Sequence, residues 1–294
     1  MAKPYGAQMA VDGTGAKDLP VTVIDAEGKI SNRFRELIRY RDLLLLFVKR
    51  DFISLYKQTI LGPLWYILQP LLTTITFAVI FGRVAGISTD GIPKLLFYLS
   101  GITFWTYFSE TLTKVSDAFF ANQKIFTKVY FPRLIVPVSI AVSNLLKLLI
   151  QFVLFLILYL YYLFTSDVMH PNFLLLFIPV FVIIEGVLAL SLGMFVTALT
   201  TKYRDLKFLI QFGVQLLMYA SPIVYPLSVV EGKFKLLILA NPMTGIIEGV
   251  KYAFFGVGDF HWTYPLYSLM FALVSFFAAS KVFLKVERNF VDTI

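Results

Sequence analysis

Six apolar runs, each long enough to cross about 30 Å of hydrocarbon, constrain this chain more than any motif in it. They run from Leu64 to Phe81, Leu95 to Leu112, Val138 to Phe164, Phe173 to Leu199, Phe208 to Val224 and Tyr264 to Leu284. The bilayer core offers no water to bond a bare amide or carbonyl, so runs of this length fold as helices. Pro70 marks a kink in the first. A further stretch, Leu227 to Phe255, is apolar but broken by Glu231, Lys233, Lys235, Asn241-Pro242, Gly245, Glu248 and Lys251. It reads as a re-entrant or interfacial pair of short helices, buried against protein.

Ahead of the first run lies a basic stretch, Arg33 to Lys57. Wound at 100° per residue, Phe34, Leu37, Ile38, Leu45, Val48, Phe52, Leu55 and Tyr56 fall on one face, and Arg35, Glu36, Arg39, Arg50 and Lys57 on the other. Arg41 lies within the apolar stripe, and Leu43 and Leu46 on the polar side, so the segregation is imperfect. A basic amphipathic helix of this kind suits a membrane surface, and Gly62-Pro63 ends it. The expected fold is an all-α membrane protein of six transmembrane helices, with an N-terminal amphipathic interface helix and a re-entrant external hairpin. Residues 1–30, polar and without the apolar core of a signal peptide, read as a flexible cytosolic tail. Residues 31–62 form the interface helix and 63–294 the transmembrane domain.

Charge gives the orientation. Residues 1–62 hold ten Lys and Arg, 114–133 four, 202–207 three and 281–288 three. The opposite side has Arg83, Lys94, Lys233, Lys235 and Lys251, and Lys147 lies inside a span. The positive-inside rule then puts both termini in the cytosol. A net charge of +8 would suit nucleic acid, but its distribution argues otherwise, because the cations gather at the ends of apolar runs. The absence of Cys excludes thiolate chemistry, and His170 and His261, far apart in sequence, make no case for a metal. No G-x-x-x-x-G-K-[ST] and no G-x-G-x-x-G occurs; ATP has no phosphate loop here and must be handled by another subunit.

Ionisable groups inside a membrane suggest function by default. Glu110 and Glu185 are the acids in or beside the spans, and Lys147 is expected to pair with Glu185 across the third and fourth runs. Substrate contact and proton relay are the other readings of these groups. Aromatics are abundant, with 30 Phe and 16 Tyr. Each one alone reads as lipid-facing bulk or interfacial belt. A set along one path would let sugar rings stack without being held tightly. Gln69, Gln211 and Gln215 add to that reading, because an amide facing lipid is costly. The loop from Lys114 to Ser139 is either a positive-inside connector or a short surface helix that transmits a partner's motion. Its helix should stop at Phe131-Pro132.

YRDLLLLFVKRDF followed by YKQTILGPLWYILQP, then NQKIFTKVYFPRLIVPVS, TTKYRDLK, SPIVYP, ANPMTGIIEGVKYAFFG and FLKVERNFVDTI, in this order, resemble permease subunits of ABC-2-type polysaccharide exporters. The likeness covers nearly the whole chain after residue 30. Members of that group move lipid-linked O-antigen, capsule or teichoic acid across bacterial inner membranes. The resemblance implies a homodimer of this chain joined to two copies of a cytosolic ABC ATPase, with no cofactor in the chain itself, since the ATPase binds ATP and Mg. O-antigen is the favoured cargo, with capsular polysaccharide or teichoic acid the alternative. The resemblance further implies a substrate path along the first and fifth spans, through Trp65, Tyr66, Gln69, Phe77, Phe81, Gln211, Phe212, Gln215 and Tyr219. ATPase coupling would fall to Arg41, Lys49, Arg50, Lys124, Lys128, Tyr130, Phe131 and Arg133, and the re-entrant external loop would be marked by Asn241, Pro242 and Glu248. A membrane enzyme acting on lipid-linked sugars is the rival from another class. It needs clustered acids or a histidine base near the interface, and the sequence has neither. An ion-coupled transporter, independent of ATP, is the second rival.

Overall fold

The computed structural model describes residues 37–56, 61–126, 131–166, 169–200 and 205–290. The expected 1–30 tail, Lys128 and Tyr130 lie outside the described residues. Helix α1, Arg41–Tyr56, precedes α2, Gly62–Val84, and α3, Lys94–Ser116. Two single turns, Ala118–Ala121 and Gln123–Phe126, lead to α4, Ile135–Thr165, and α5, Phe173–Thr200. Then come α6, Leu206–Tyr219, α7, Gly232–Leu239, α8, Pro242–Phe255, and α9, Thr263–Phe290. No strand occurs among the described residues.

Local chemistry accounts for the element ends. Pro63 sits in the opening 3-10 turn of α2, where its missing N–H costs nothing. Pro70 lies inside the same helix without ending it. The last seven residues of α2, Ala78–Val84, widen into a π-helical turn. The Asn241 side chain accepts from the Met243 N–H at 3.0 Å, capping α8 with Pro242 in the first turn. That helix stops at Gly256, whose φ of +67° favours glycine.

Four helices are long and apolar enough to cross a membrane: α2, α4, α5 and the Thr263–Phe283 part of α9. The second and fifth expected runs took other forms. The 23 residues of α3 span about 35 Å at ~1.5 Å each, but Ser100, Thr103, Thr106, Ser109, Glu110 and Thr111 make it a mixed rather than an apolar helix. The 14 residues of α6 reach only about 21 Å, short of the hydrocarbon thickness. After α6 the chain unwinds through Ser221 to Tyr225, and Ser221, Ile223 and Val224 are buried against protein. Non-helical backbone at such depth is tolerated where protein covers it.

The centre of the bundle is α3. Sixteen of its residues are buried, and it packs against α2, α4, α5, α6 and α8. Phe97, Tyr98, Phe104 and Phe108 fill the main core, together with Phe155, Phe181, Phe254 and Phe255. On the outside, α9 presents Leu266, Met270, Val274 and Phe277, one helical stripe of exposed apolar groups. Comparable faces on α2 (Leu72, Ile75, Val79) and α4 (Val153, Ile157, Leu160) give the molecule an apolar perimeter.

A second core joins α1 to the end of the bundle where α3 stops and α4 begins. Phe47 is 4% exposed and Val48 8%; Phe47 meets Phe131 at 5.6 Å between ring centroids. The face that packs inward runs Leu37, Tyr40, Leu44, Phe47, spaced as one side of a helix. Ile38, Leu45 and Leu46 stay exposed. The expected apolar stripe thus corresponds only in part to the buried one. The helix has two apolar faces, one for protein and one left outside, and a single-stripe reading merges them.

Close approach between helices depends on missing side chains. A Cβ on Gly245 would lie 2.5 Å from the Tyr264 carbonyl carbon and oxygen, where α8 crosses α9. Gly245→Ala should lower stability by about 1–3 kcal/mol, read as a lower midpoint of thermal unfolding in detergent. Gly213→Ala in α6, where nothing lies within 4 Å, should leave that midpoint unchanged or slightly higher. Phe131→Ala opens the second core and should lower stability by about 3–5 kcal/mol. Leu45→Ala on the exposed face of α1 is the control expected to cost little, and equal losses in the two would refute the anchoring of α1 through Phe131.

Candidate permeation path and coupling surface

Of the residues expected on a substrate path, α2 contributes two kinds. Trp65 (47% exposed) and Gln69 face outward and Tyr66 is half-buried. Phe77 is buried, edge-on to Phe81 at 5.2 Å and to Tyr98 at 6.2 Å. Phe77 therefore packs in the core, and Phe81 is half-buried beside it. Helix α6 has no buried residue among those described. Gln211, Phe212, Gln215 and Tyr219 are all exposed on it.

The α2 residues border a cavity of about 300 Å³, lined by Trp65, Tyr66, Gln69, Trp105, Glu110 and Lys147 among others. From α6 only Met218 reaches it. One chain therefore brings Trp65, Tyr66 and Gln69 together and leaves the four α6 residues outside that cavity. The indole and phenol edges, the Gln69 and Gln151 amides and the charged groups make it a mixed apolar and polar surface, suited to a hydroxyl-rich ligand.

Lys147 does not pair with Glu185. Its ammonium donates to Glu110 Oε2 at 2.6 Å, and Lys114 donates to the same oxygen at 2.8 Å. Lys147 also stands over the Tyr66 ring, 5.0 Å from its centroid. Lys114 donates further to Asn144 Oδ1 at 3.1 Å, and the Asn144 amide donates to Thr111 Oγ1 at 3.1 Å. Glu185 is fully buried in α5 and makes no ion pair among the described residues. Helix depth decides the outcome: Lys147 sits in the fourth turn of α4, level with the end of α3 that carries Glu110. The spacing of Glu110 and Lys114, one helical turn apart, was the sequence signal for this cluster.

A second cavity, about 400 Å³, lies on the α1 side of Lys147, lined by Arg50, Asp51, Lys114, Asp117, Asn122 and Lys147 among others. Here the expected coupling residues divide. Arg50 holds Asp51 Oδ1 at 2.7 Å, lies over Phe47 at 4.7 Å and donates to Asn122 Oδ1 at 3.3 Å. It thereby ties α1 to the turns after α3. Lys207 at the start of α6 donates to Asp117 Oδ2 at 2.7 Å, so α6 is tied to the same turns. Arg133 stands over the Phe126 ring at 5.5 Å, with Phe131 buried beside it. Arg41, Lys49 and Lys124 are exposed, with Arg41 3.8 Å from Asp42.

At the opposite end, side chains hold the break after α6. The Asn241 amide donates to Ser221 Oγ at 2.8 Å, and Lys251 donates to the Pro222 carbonyl at 2.5 Å, its ammonium 3.5 Å from the Phe97 ring centroid. Glu248 is 2% exposed, one turn away on the same helix. Lys235 of α7 pairs with Asp259, in the segment between α8 and α9, at 2.5 Å, and that carboxylate holds the Lys235 ammonium above the usual lysine range. Lys251 and Ser221 were not expected at this clamp; the sequence offered Lys251 as an interruption of an apolar run and a cation of the external side, with no partner. No group of three or more metal-ligating side chains forms among the described residues.

Comparisons with known proteins agree with this architecture. Residues 42–255 match the family model described as ABC-2 type transporter. The O-antigen export system permease protein RfbA of Myxococcus xanthus is 28% identical over 263 residues, covering 88% of this chain and 98% of that protein. The protein of the same name from Klebsiella pneumoniae is 28% identical over 256 residues, 86% of this chain and 95% of that protein. The match takes in α1 to α4, which line the two cavities, and the clamped α8. The chain belongs to the ABC-2 type transporter family.

Proposed function

We propose that this chain is the membrane-spanning permease of an ATP-driven exporter that moves lipid-linked O-antigen outward across the bacterial inner membrane. The observation that carries the reading is the end-to-end likeness to two permeases named for O-antigen export, over 98% and 95% of their lengths. In this reading the bundle crosses the membrane six times, with α3 and α6 joining the four long apolar helices, and α7 and α8 form the re-entrant external hairpin. Both termini lie in the cytosol. Two copies of the chain enclose the path, and the bare faces of α2 and α6 meet across it. That arrangement gives Trp65, Gln69, Gln211, Phe212, Gln215 and Tyr219 a common lumen, and it explains why α6 packs so little into its own chain. Two copies of a cytosolic ABC ATPase bind ATP and Mg.

The contacts at the α1 end supply a transmission. An ATPase pair closing against Arg41, Lys49 and Lys124 pushes on α1 and on the turns after α3. Arg50 with Asn122 and Phe47 with Phe131 make those two parts one body, and Lys207 with Asp117 couples it to α6. The start of a path-lining helix therefore moves with the coupling surface, a rigid-body transition of the switching kind. At the other end the Lys251 and Asn241 clamp holds the break after α6, so the motion is taken up within α6 and not lost in the external segment.

Orientation is tested by cysteine labelling in the Cys-free chain. Ser88→Cys, at an exposed position between α2 and α3, should react from outside intact cells. Lys49→Cys should react only after permeabilisation, and the reverse pattern overturns the topology. The path is tested by export of surface polysaccharide with the cognate ATPase present, normalised to folded permease in the membrane. Replacing Trp65, Tyr66, Phe212 and Tyr219 by Ala removes stacking faces worth about 0.5–1.5 kcal/mol each. Single variants should lower export several-fold with near-normal assembly, and combinations further. Normal export in the four-fold variant removes the stacking path.

A further inference from the structure

Two ammonium groups sharing one carboxylate oxygen leave a charge unanswered. Lys114 and Lys147 both donate to Glu110 Oε2, at 2.8 and 2.6 Å, so this cluster carries one positive charge in excess. The cluster is only partly hydrated: the Lys147 side chain is 10% exposed, Glu110 31% and Lys114 45%. Neighbouring carboxylates are engaged elsewhere: Asp51 with Arg50 at 2.7 Å, and Asp117 with Lys207 at 2.7 Å. Two ammoniums sharing one carboxylate are costly to hold partly out of water, and an anion seated on them would relieve that cost.

The place of the cluster says what sort of anion. It forms the wall between the two cavities, of about 400 and 300 Å³, and Lys147 lines both. Each ammonium has three N–H donors; Lys147 uses one on Glu110, and Lys114 uses two, on Glu110 and Asn144. Donors therefore remain for an oxygen-rich group, with Arg50 on the rim of the larger cavity. That cavity abuts α1, whose exposed Ile38, Leu45 and Leu46 set it at the level of a membrane surface. We propose that the Glu110, Lys114 and Lys147 cluster binds the phosphate group of a lipid, with the two ammoniums on its oxygens and Glu110 as the internal counter-ion it displaces. A diphosphate carried by the exported lipid and the phosphate of a bulk anionic phospholipid share this chemistry, and assignment to the exported lipid rests on the export reading above.

The test is binding to the purified full chain in maltoside micelles, followed by tryptophan fluorescence, because Trp65 and Trp105 line the adjoining cavity. Farnesyl diphosphate should bind saturably and farnesol should not. Lys147→Gln should weaken the diphosphate roughly tenfold or more, as loss of a charge-assisted contact does. Glu110→Gln should bind it at least as tightly as the parent, because the competing carboxylate is gone. A purely structural cluster predicts the opposite for that variant. Should Glu110→Gln unfold, Lys114→Gln carries the test instead: it removes the second ammonium and should weaken the diphosphate as Lys147→Gln does, whereas parent-like affinity in that folded variant overturns the site. Saturation by farnesyl diphosphate but not by dioleoyl phosphatidic acid marks the exported lipid as the source; equal saturation by both marks a phospholipid. Parent-like affinity in folded Lys147→Gln, or farnesol binding as well as its diphosphate, overturns the site. The measurement needs neither ATPase nor export, so failure of the export reading would leave its result standing.

Discussion

Backbone amides and carbonyls denied water have to be bonded within the protein, and the structure is arranged around that demand. Helices meet it along their length. The critical places are where helices stop inside the bundle, and there single side chains bond carbonyls at or near the helix ends. Lys251 bonds Pro222 at 2.5 Å, Tyr159 bonds Phe254 at 2.8 Å and Asn172 bonds Tyr252 at 2.8 Å. Thr244 takes Ile238 at 2.5 Å, Tyr267 takes Ala240 at 2.9 Å, and Lys94 takes Gly82 at the π-helical end of α2. Buried carbonyls left bare would each cost a lost hydrogen bond or more. These contacts turn broken helices into a fixed end wall, against which the long helices are positioned.

The two ends of the bundle are built on different physics. The end around α8 is closed by buried neutral hydrogen bonds and by a lysine held between the Pro222 carbonyl and the Phe97 ring, contacts that lose their value if the parts separate. The α1 end is joined by partly hydrated polar contacts, Arg50 (39% exposed) with Asn122 at 3.3 Å and Lys207 with Asp117 (40% and 29% exposed). Such pairs are individually weak and easily exchanged. Between them stand the aromatic contacts of Phe47, Phe126 and Phe131, which keep the elements together while the charges rearrange. Strong closure at one end and exchangeable contacts at the other suit a machine driven from the α1 side.

Much of this was legible in the sequence, for reasons that also explain the remainder. Apolar length revealed the helices of α2, α4, α5 and α9, because the hydrocarbon thickness is a fixed ruler. Asn241-Pro242 and Gly256 mark the ends of α8 through capping rules that act within four residues. The α6 helix was expected to run on to Val224. Its termination at Tyr219 depends on Asn241, Lys251 and Phe97, which come from distant parts of the chain, and no local pattern announces them. Lys147 illustrates the same limit. Its partner lies 37 positions away, and choosing Glu110 over Glu185 requires the relative depth of two helices, a quantity set by tertiary packing. Among the aromatics, Phe77 and Trp65 are both apolar rings on one helix, yet one is in the core and the other faces out. Helical phase alone cannot rank them where a helix is apolar nearly all round.

That last point bears on how a path for sugars can exist in a chain so rich in hydrophobic side chains. A lipid-facing helix has no use for amides, whereas α6 exposes Gln211 and Gln215 one turn apart, flanking Phe212, and α2 exposes Gln69 one turn after Trp65. Alternating aromatic faces with amides gives a surface that can stack on a ring and exchange hydrogen bonds with its hydroxyls, each contact weak enough to be released. The apolar stripe of α9 has no such interleaving: Leu266, Met270, Val274 and Phe277 follow one another without a polar neighbour on that line. The distinction between the two kinds of exposed surface thus lies in the company an aromatic keeps; on that ground α2 and α6 stand apart from α9, and the proposed path for cargo rests on that difference.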